Sequence, residues 1–323
     1  MQLSRDDLKR AYDRMFTIRV FEERVAKEFA LGNIPGFAHV YLGQEASAVG
    51  VCFDLTDEDY IGSTHRGHGH CIAKGVDVKG MMLEIMGKRG GLCGGKGGSM
   101  HIADLTKGML GANAIVGGGP PIAVGAALTQ KYNKTGKVAV AFTGDGASNQ
   151  GTVFEALNMA VVLKAPVIFA FENNGYGEHT AVSYACGAPS IAERVSGFGL
   201  PCEVVDGSDF FQVREAMQRA LEHARALKGP YALEIHCKRF LGHFVGDPQA
   251  YRTPEELAEA RMADPIPRFR NAVIDTRLLE PADIEAIEAQ VGRLIDEAVG
   301  EALAAPLPDP ERDLTRDVYV KYG

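Results

Sequence analysis

The chain has 323 residues, of which 46% are hydrophobic, and a formal net charge of −8 with no long basic run. That balance supports a sizeable core, excludes nucleic acid as the expected partner, and means that an anionic ligand must be held by local groups rather than by the overall field. Residues 1–10 are charged and lack an apolar signal core, and no stretch approaches a membrane span, so a cytoplasmic protein without membrane contact is expected.

Ser4, followed three residues later by Asp7, marks a helix start, and Leu8, Tyr12, Met15, Phe16, Ile18, Phe21, Val25 and Phe29 continue at helical spacing, predicting a scaffold helix over about 4–31. Residues 35–119 are richer in glycine and histidine, with glycine runs at 90–91 and 94–98, and predict long functional loops. Residues 122–128 read as helix. The apolar run 138–142 then predicts a buried parallel strand, and 167–171, opened by Pro166, predicts a second. Between them, Phe154, Leu157, Val161 and Val162 define the expected buried face of a helix over 149–164. Such a crossover is right-handed, so the two strand tips, at Asp145 and Asn174, share one edge of the sheet.

A further unit follows: strand 202–205, a helix capped by Asp209 and running through Val213, Met217, Leu221 and Leu227, a stop at Gly229 and Pro230, then strand 231–237. Lys238, Arg239 and His243 thus fall on the same edge as Asp145. Residues 282–304 predict a surface helix, and Pro306, Pro308 and Pro310 open an irregular tail to 323. The alternation of strands and helices predicts one α/β domain over 1–323 with a doubly wound, mostly parallel sheet. The six cysteines are scattered and form no Cys-x-x-Cys pair, so reduced thiols are expected.

The chemistry concentrates at 144–174. Gly144 and Gly146 permit a tight path around Asp145, and the next helix aims its N-terminus at the same space, which suits an anion. Asp145, Asn174 and a backbone carbonyl of the turn reaching Tyr176 would make an incomplete cage for calcium but a good partial octahedron for Mg2+ shared with phosphate oxygens. An ordinary glycine turn explains Gly-Asp-Gly taken alone; the helix and the second tip with Asn173 and Asn174 favour a metal-diphosphate site. Arg239 and His243 suit either a solvated basic turn or phosphate contacts. His65, Arg66, His68 and His70 crowd together, but their spacing does not fit one helix face, so a charged loop is preferred over a three-imidazole zinc site. His39 reads as a satisfied loop histidine or a group near a ligand, and Ile115 with Val116 as core packing.

Gly-Asp-Gly at 144–146 with Asn173 and Asn174 about thirty residues on is the thiamine diphosphate motif, and 144–151 with 154–156 and 158–160 resembles the α subunits of two-subunit 2-oxo acid dehydrogenases, over about 15–252. Segments 63–70, 117–121 and 242–248 bring the likeness nearest to the acetoin dehydrogenase branch. The resemblance implies thiamine diphosphate and Mg2+ as cofactors, with Asp145, Asn174 and Tyr176 on the metal and Gly144, Gly146, Ala147, Arg239 and His243 at the diphosphate. It also implies that His65 and Arg66 contact the cofactor, that Ile115 and Val116 wedge between its rings, and that His39 lies near the substrate; His39, His65 and His243 are then the candidate bases. His65 stands where the pyruvate enzymes usually have tyrosine, and Phe244 where the mitochondrial ones have a regulatory serine.

Further implications are a β subunit that supplies the glutamate activating the cofactor's aminopyrimidine, an α2β2 heterotetramer, and a lipoyl-bearing dihydrolipoamide acyltransferase that accepts the two-carbon unit. Acetoin would be cleaved to acetaldehyde and a cofactor-bound hydroxyethyl unit; pyruvate, the alternative small-molecule substrate, would reach the same unit by losing carbon dioxide. A non-enzymatic nucleotide-binding module on a similar sheet remains the reading from a different class.

Overall fold

A computed structural model describes residues 3–316. The first helix, α1 (Arg5–Ala30), begins at a reciprocal capping box between Ser4 and Asp7 and buries Leu8, Tyr12, Met15, Ile18, Phe21 and Val25. At about 1.5–3 kcal/mol for each large apolar side chain removed from water, that stripe anchors the helix.

The glycine- and histidine-rich stretch is not the succession of long loops that composition predicts. It folds into α2 (Glu45–Cys52), β1 (Tyr60–Gly62), α3 (His68–Lys74), α4 (Val78–Ile85) and β2 (Met109–Gly111). All eight residues of α2 are buried, so it has no polar face and no readable helical period, and three-residue strands are too short to show alternation. The long irregular segments that remain are 31–44, between α1 and α2, and the glycine run after α4.

After α5 (Gly119–Tyr132) come β3 (Ala139–Gly144), α6 (Gly151–Leu163) and β4 (Val167–Asn173), the crossover that the sequence predicts. The buried face of α6 is Val153, Ala156, Leu157 and Ala160, while Phe154 and Val161 are half-buried and Val162 is 70% exposed. Small alanines let the helix lie close to the sheet, and the bulkier apolar residues that suggested the face are left outside. A hairpin of β5 (Tyr176–Gly177) and β6 (Thr180–Ala181) leads to α7 (Val182–Ala185) and α8 (Ile191–Ser196). Next are β7 (Cys202–Asp206), α9 (Phe210–Arg225), capped by Asp209 as expected, and β8 (Tyr231–His236).

Two helices escaped the sequence reading: α10 (Pro254–Met262) and α11 (Pro265–Asp275). A capping box between Thr253 and Glu256, with Pro254 in the first turn, was the available signal. The predicted surface helix is α12 (Pro281–Ala304), and it is no mere surface element: Ile284, Val291, Ile295, Ala298 and Val299 are buried where it packs against α1 and α4. The predicted tail holds one short helix, Pro310–Asp313; residues 317–323 lie outside the described residues.

The sheet has six strands in the order β2-β1-β3-β4-β8-β7, and every pairing is parallel. Alternate residues of β3 and β4 feed two separate cores, Val140, Phe142 and Ile168 on one face and Ala139, Ala141, Phe169 and Phe171 on the other, which is the mark of a sheet covered on both sides. Chain progression reverses between β1 and β3. That switch point is where a doubly wound sheet opens a crevice at the carboxyl ends of its strands.

Candidate active site

A cleft of about 380 Å³ opens there, lined by the segments that follow β1, β2, β3, β4 and β8. Every residue that the family resemblance assigned to a cofactor, metal or substrate borders it: His39, His65, Arg66, Ile115, Val116, Gly144, Asp145, Gly146, Ala147, Asn174, Tyr176, Arg239 and His243.

Its floor carries two unsatisfied requirements of opposite sign. Asp145 is buried, its Oδ2 has no hydrogen-bond partner, and burial pushes its carboxyl up to about 6. Such a group calls for a cation. Arg66 and Arg239 are also buried; burial, then their mutual repulsion, lowers Arg66 to about 9, and burial lowers Arg239. Arg66 donates to the backbone carbonyls of Val40 (2.7 Å) and His243 (2.9 Å), and Arg239 to the Tyr251 hydroxyl (2.6 Å), so neither has a carboxylate of its own in these bonds. Two buried guanidiniums facing a carboxylate with one free oxygen suit a polyanion bridged by a metal ion.

Backbone geometry leaves room for both. A Cβ on Gly144 would enter open space at the cleft, and one on Gly146 would lie 2.8 Å from the Cα of Gly177, so only glycine lets the β5–β6 hairpin close on the Asp145 turn. Asn174 Nδ2 donates to Gln44 Oε1 (3.1 Å), which turns Asn174 Oδ1 away from Gln44; Tyr176 N–H reaches that oxygen at 3.3 Å. The donor set of carboxylate, amide oxygen and turn carbonyl fits a hard cation, and the two arginines fit a diphosphate.

The histidines near Arg66 are dispersed by the fold. His68 bonds Glu22 (2.9 Å) and Ser99 (2.9 Å), and His70 bonds Ser63 (2.7 Å) and Glu172 (3.1 Å), which ends the reading of His65, His68 and His70 as one zinc site. His65 alone faces the cleft, where its ring meets His39 at 4.8 Å and His243 at 5.2 Å. Burial, then the charge of Arg66, lowers all three imidazoles, His39 to about 3, His65 to about 2 and His243 to about 4. They are neutral at physiological pH.

This depression has a stability consequence. Between its folded pKa near 3 and its unfolded value of 6.5, His39 binds fewer protons folded than unfolded, so falling pH favours unfolding through that window. The expected cost is about 1.4 kcal/mol per pH unit for one such group. Denaturant unfolding of the ligand-free chain between pH 6.5 and 5 should therefore show a steeper stability loss than a His39→Asn variant does; parallel curves would contradict the burial argument.

Sequence reasoning missed several groups. Glu172, buried at the end of β4, borders the cleft and accepts from the Tyr41 hydroxyl, Ser47 Oγ (2.6 Å) and His70. Burial raises its carboxyl, but attraction to His70 and these three bonds outweigh it, leaving the group lowered. A carboxylate closing an apolar strand was the legible signal. Gln44 borders the cleft with its Nε2 buried and unpartnered, a position that nothing in its neighbourhood marks. Glu84, wholly buried on α4, accepts from the backbone N–H of Cys93, Gly95, Gly97 and Gly98 at 2.7–3.1 Å and so shapes the glycine run leading to Met100 in the cleft wall.

Comparison with known proteins agrees with this architecture. The chain is 51% identical to the α subunit of acetoin:2,6-dichlorophenolindophenol oxidoreductase of Cupriavidus necator, over 100% of this chain and 97% of that one. It is also 51% identical to the protein of the same name from Bacillus subtilis, over 96% and 93%. The pyruvate dehydrogenase E1 component α subunit of Zymomonas mobilis is 40% identical over 98% and 90%. The model for the dehydrogenase E1 component matches residues 13–311, and the chain belongs to that family of oxidoreductases.

Proposed function

We propose that this chain is the α subunit of a thiamine diphosphate- and Mg2+-dependent enzyme that cleaves acetoin. The observation that carries the proposal is the cleft floor: a buried carboxylate with a free oxygen opposite two buried arginines. Asp145, Asn174 Oδ1 and the Tyr176 carbonyl would hold Mg2+; Arg239, His243 and the backbone at Gly144, Gly146 and Ala147 would receive the diphosphate; His65 and Arg66 would contact the cofactor. Ile115, 71% exposed, and Val116 stand in the cleft wall as apolar groups suited to a ring system. When bound, the cofactor supplies a carbon nucleophile and a sink for the electron pair of the bond broken beside the attacked carbonyl.

His39, His65 and His243 hold the substrate end. A neutral imidazole can accept the hydroxyl proton of acetoin, whereas three neutral rings give a carboxylate no imidazolium partner, which favours acetoin over pyruvate. The relatives named for acetoin point the same way. Pyruvate is the second reading, supported by the Zymomonas mobilis relative. A β subunit partner in an α2β2 assembly is supported by the α-subunit names and by exposed apolar side chains on the two helices that lead away from the cleft, Ile122 in the first turn of α5 and Met159, Val162 and Leu163 farther along α6. The two-carbon unit would pass to the lipoyl group of a separate acyltransferase.

The test is kcat/KM for acetoin and pyruvate with an artificial electron acceptor and the reconstituted subunit pair. A preference for acetoin of at least about tenfold, or about 1.4 kcal/mol of transition-state stabilisation, is expected. The same ratio in favour of pyruvate would overturn the substrate.

A further inference from the structure

His39, His65 and His243 arrive from three separate loops, before α2, after β1 and after β8, yet their ring nitrogens can all lie within 4.8 Å of one another, the one such group of three metal-binding side chains among the described residues. His39 is 8% exposed, and its Nδ1 is buried with no hydrogen-bond partner. We propose that these three imidazoles form a binding site for one transition cation of the zinc class, separate from the oxygen-lined corner at Asp145.

Zn2+ binds imidazole at about 2.0–2.1 Å, which sets the nitrogens around one tetrahedral ion about 3.3 Å apart, so the rings must draw in by roughly an ångström. His65 and His243 are half-buried on loops and have the freedom to do so, while His39 is the fixed point. Burial and Arg66 keep all three lone pairs free of protons near neutral pH, so no proton has to be displaced. Imidazole suits zinc, nickel and copper, whereas Mg2+ prefers oxygen, so the two sites sort their metals by ligand chemistry. Three protein ligands leave a fourth position open to water. Arg66 and Arg239 repel a dication, and the affinity is accordingly weaker than that of a structural zinc centre. Because the same nitrogens hold the substrate end, and His65 and His243 also serve the cofactor, Zn2+ seated there stops turnover. That consequence rests on the function proposed above; the binding does not.

Co2+ reports the site directly. Titrated into the full chain with its partner subunit, before cofactor or Mg2+ is added, it should give the visible absorption of a tetrahedral ion at one equivalent per chain, and Zn2+ should abolish that absorption. His39→Asn, His65→Tyr and His243→Asn should each weaken binding by more than the ~10–100-fold that loss of a supporting hydrogen bond costs a metal ligand. Asp145→Asn, at the other corner, and His101→Asn, on the exposed surface, should leave the absorption unchanged. Circular dichroism checks each variant's fold, and because the three histidines lie on separate loops, a folding failure in one leaves two to read. No tetrahedral absorption in the wild type, its retention in His39→Asn or His243→Asn, or its loss in Asp145→Asn overturns the site. Zn2+ that binds but leaves acetoin-dependent dye reduction untouched overturns the blocking role. Absence of acetoin turnover with the Co2+ absorption intact counts against the substrate proposed above and not against the metal site.

Discussion

Replacing Asp145 by alanine should lower Mg2+-dependent affinity for thiamine diphosphate by about a thousandfold or more. The carboxylate is buried with Oδ2 unpartnered, and burial alone has pushed its pKa to about 6. A cation reverses that cost. One unit-charge contact at ~4 Å is worth about 4 kcal/mol at an effective dielectric near 20, close to three powers of ten in binding. The ligand-free variant, by contrast, should be at least as resistant to denaturant as the wild type, because it no longer buries a carboxyl with an unsatisfied oxygen. The two measurements together separate a lost ligand contact from a damaged fold. Equal cofactor affinities in wild type and variant would remove Asp145 from the site.

Asp145 was legible because its surroundings are. β3 and β4 are apolar runs of strand length, and the glycines and Pro166 punctuate them, so the crossover and its two tips follow from local pattern and a fixed handedness. The same holds for β8 and for Arg239 just beyond it. Where elements are short or buried on every side, pattern vanishes: β1, β2 and α2 offer neither alternation nor a polar face. The buried face of α6 differs from the one its bulky apolar residues predict because contact with the sheet selects Ala156 and Ala160. The histidine cluster is a tertiary fact. His39, His65 and His243 are brought together only by the switch in strand order, and before the fold was visible only family resemblance linked them to one site. Gln44 and Glu84 are polar residues whose burial no local pattern announces.

Purified without a partner subunit, the chain should show no acetoin-dependent dye reduction above background even with thiamine diphosphate and Mg2+ present. The reaction requires a carboxylate placed to activate the cofactor's aminopyrimidine, and the cleft has none to spare. Asp145 belongs to the cation corner, Glu172 is engaged by Tyr41, Ser47 and His70, and Glu178 stands in solvent on the hairpin turn. Re-aiming Glu172 would forfeit three hydrogen bonds and leave two buried hydroxyls and an imidazole without their acceptor, at about 1–3 kcal/mol for each group left unsatisfied. On the proposed function, the partner subunit supplies this carboxylate. Ile122 is exposed in the first turn of α5, beside Gly119 and Pro120 of the cleft wall, and Met159, Val162 and Leu163 are exposed farther along α6, so a subunit lying along these two helices would reach the cleft at their first turns. Adding the β subunit should therefore restore turnover, and Val162→Glu, which sets a charge in that face without touching the cleft, should weaken co-elution of the two chains in gel filtration. Full activity from the chain alone, in a preparation shown free of β subunit, would mean that one of its own carboxylates does this work, and Glu172 would then be the residue to replace.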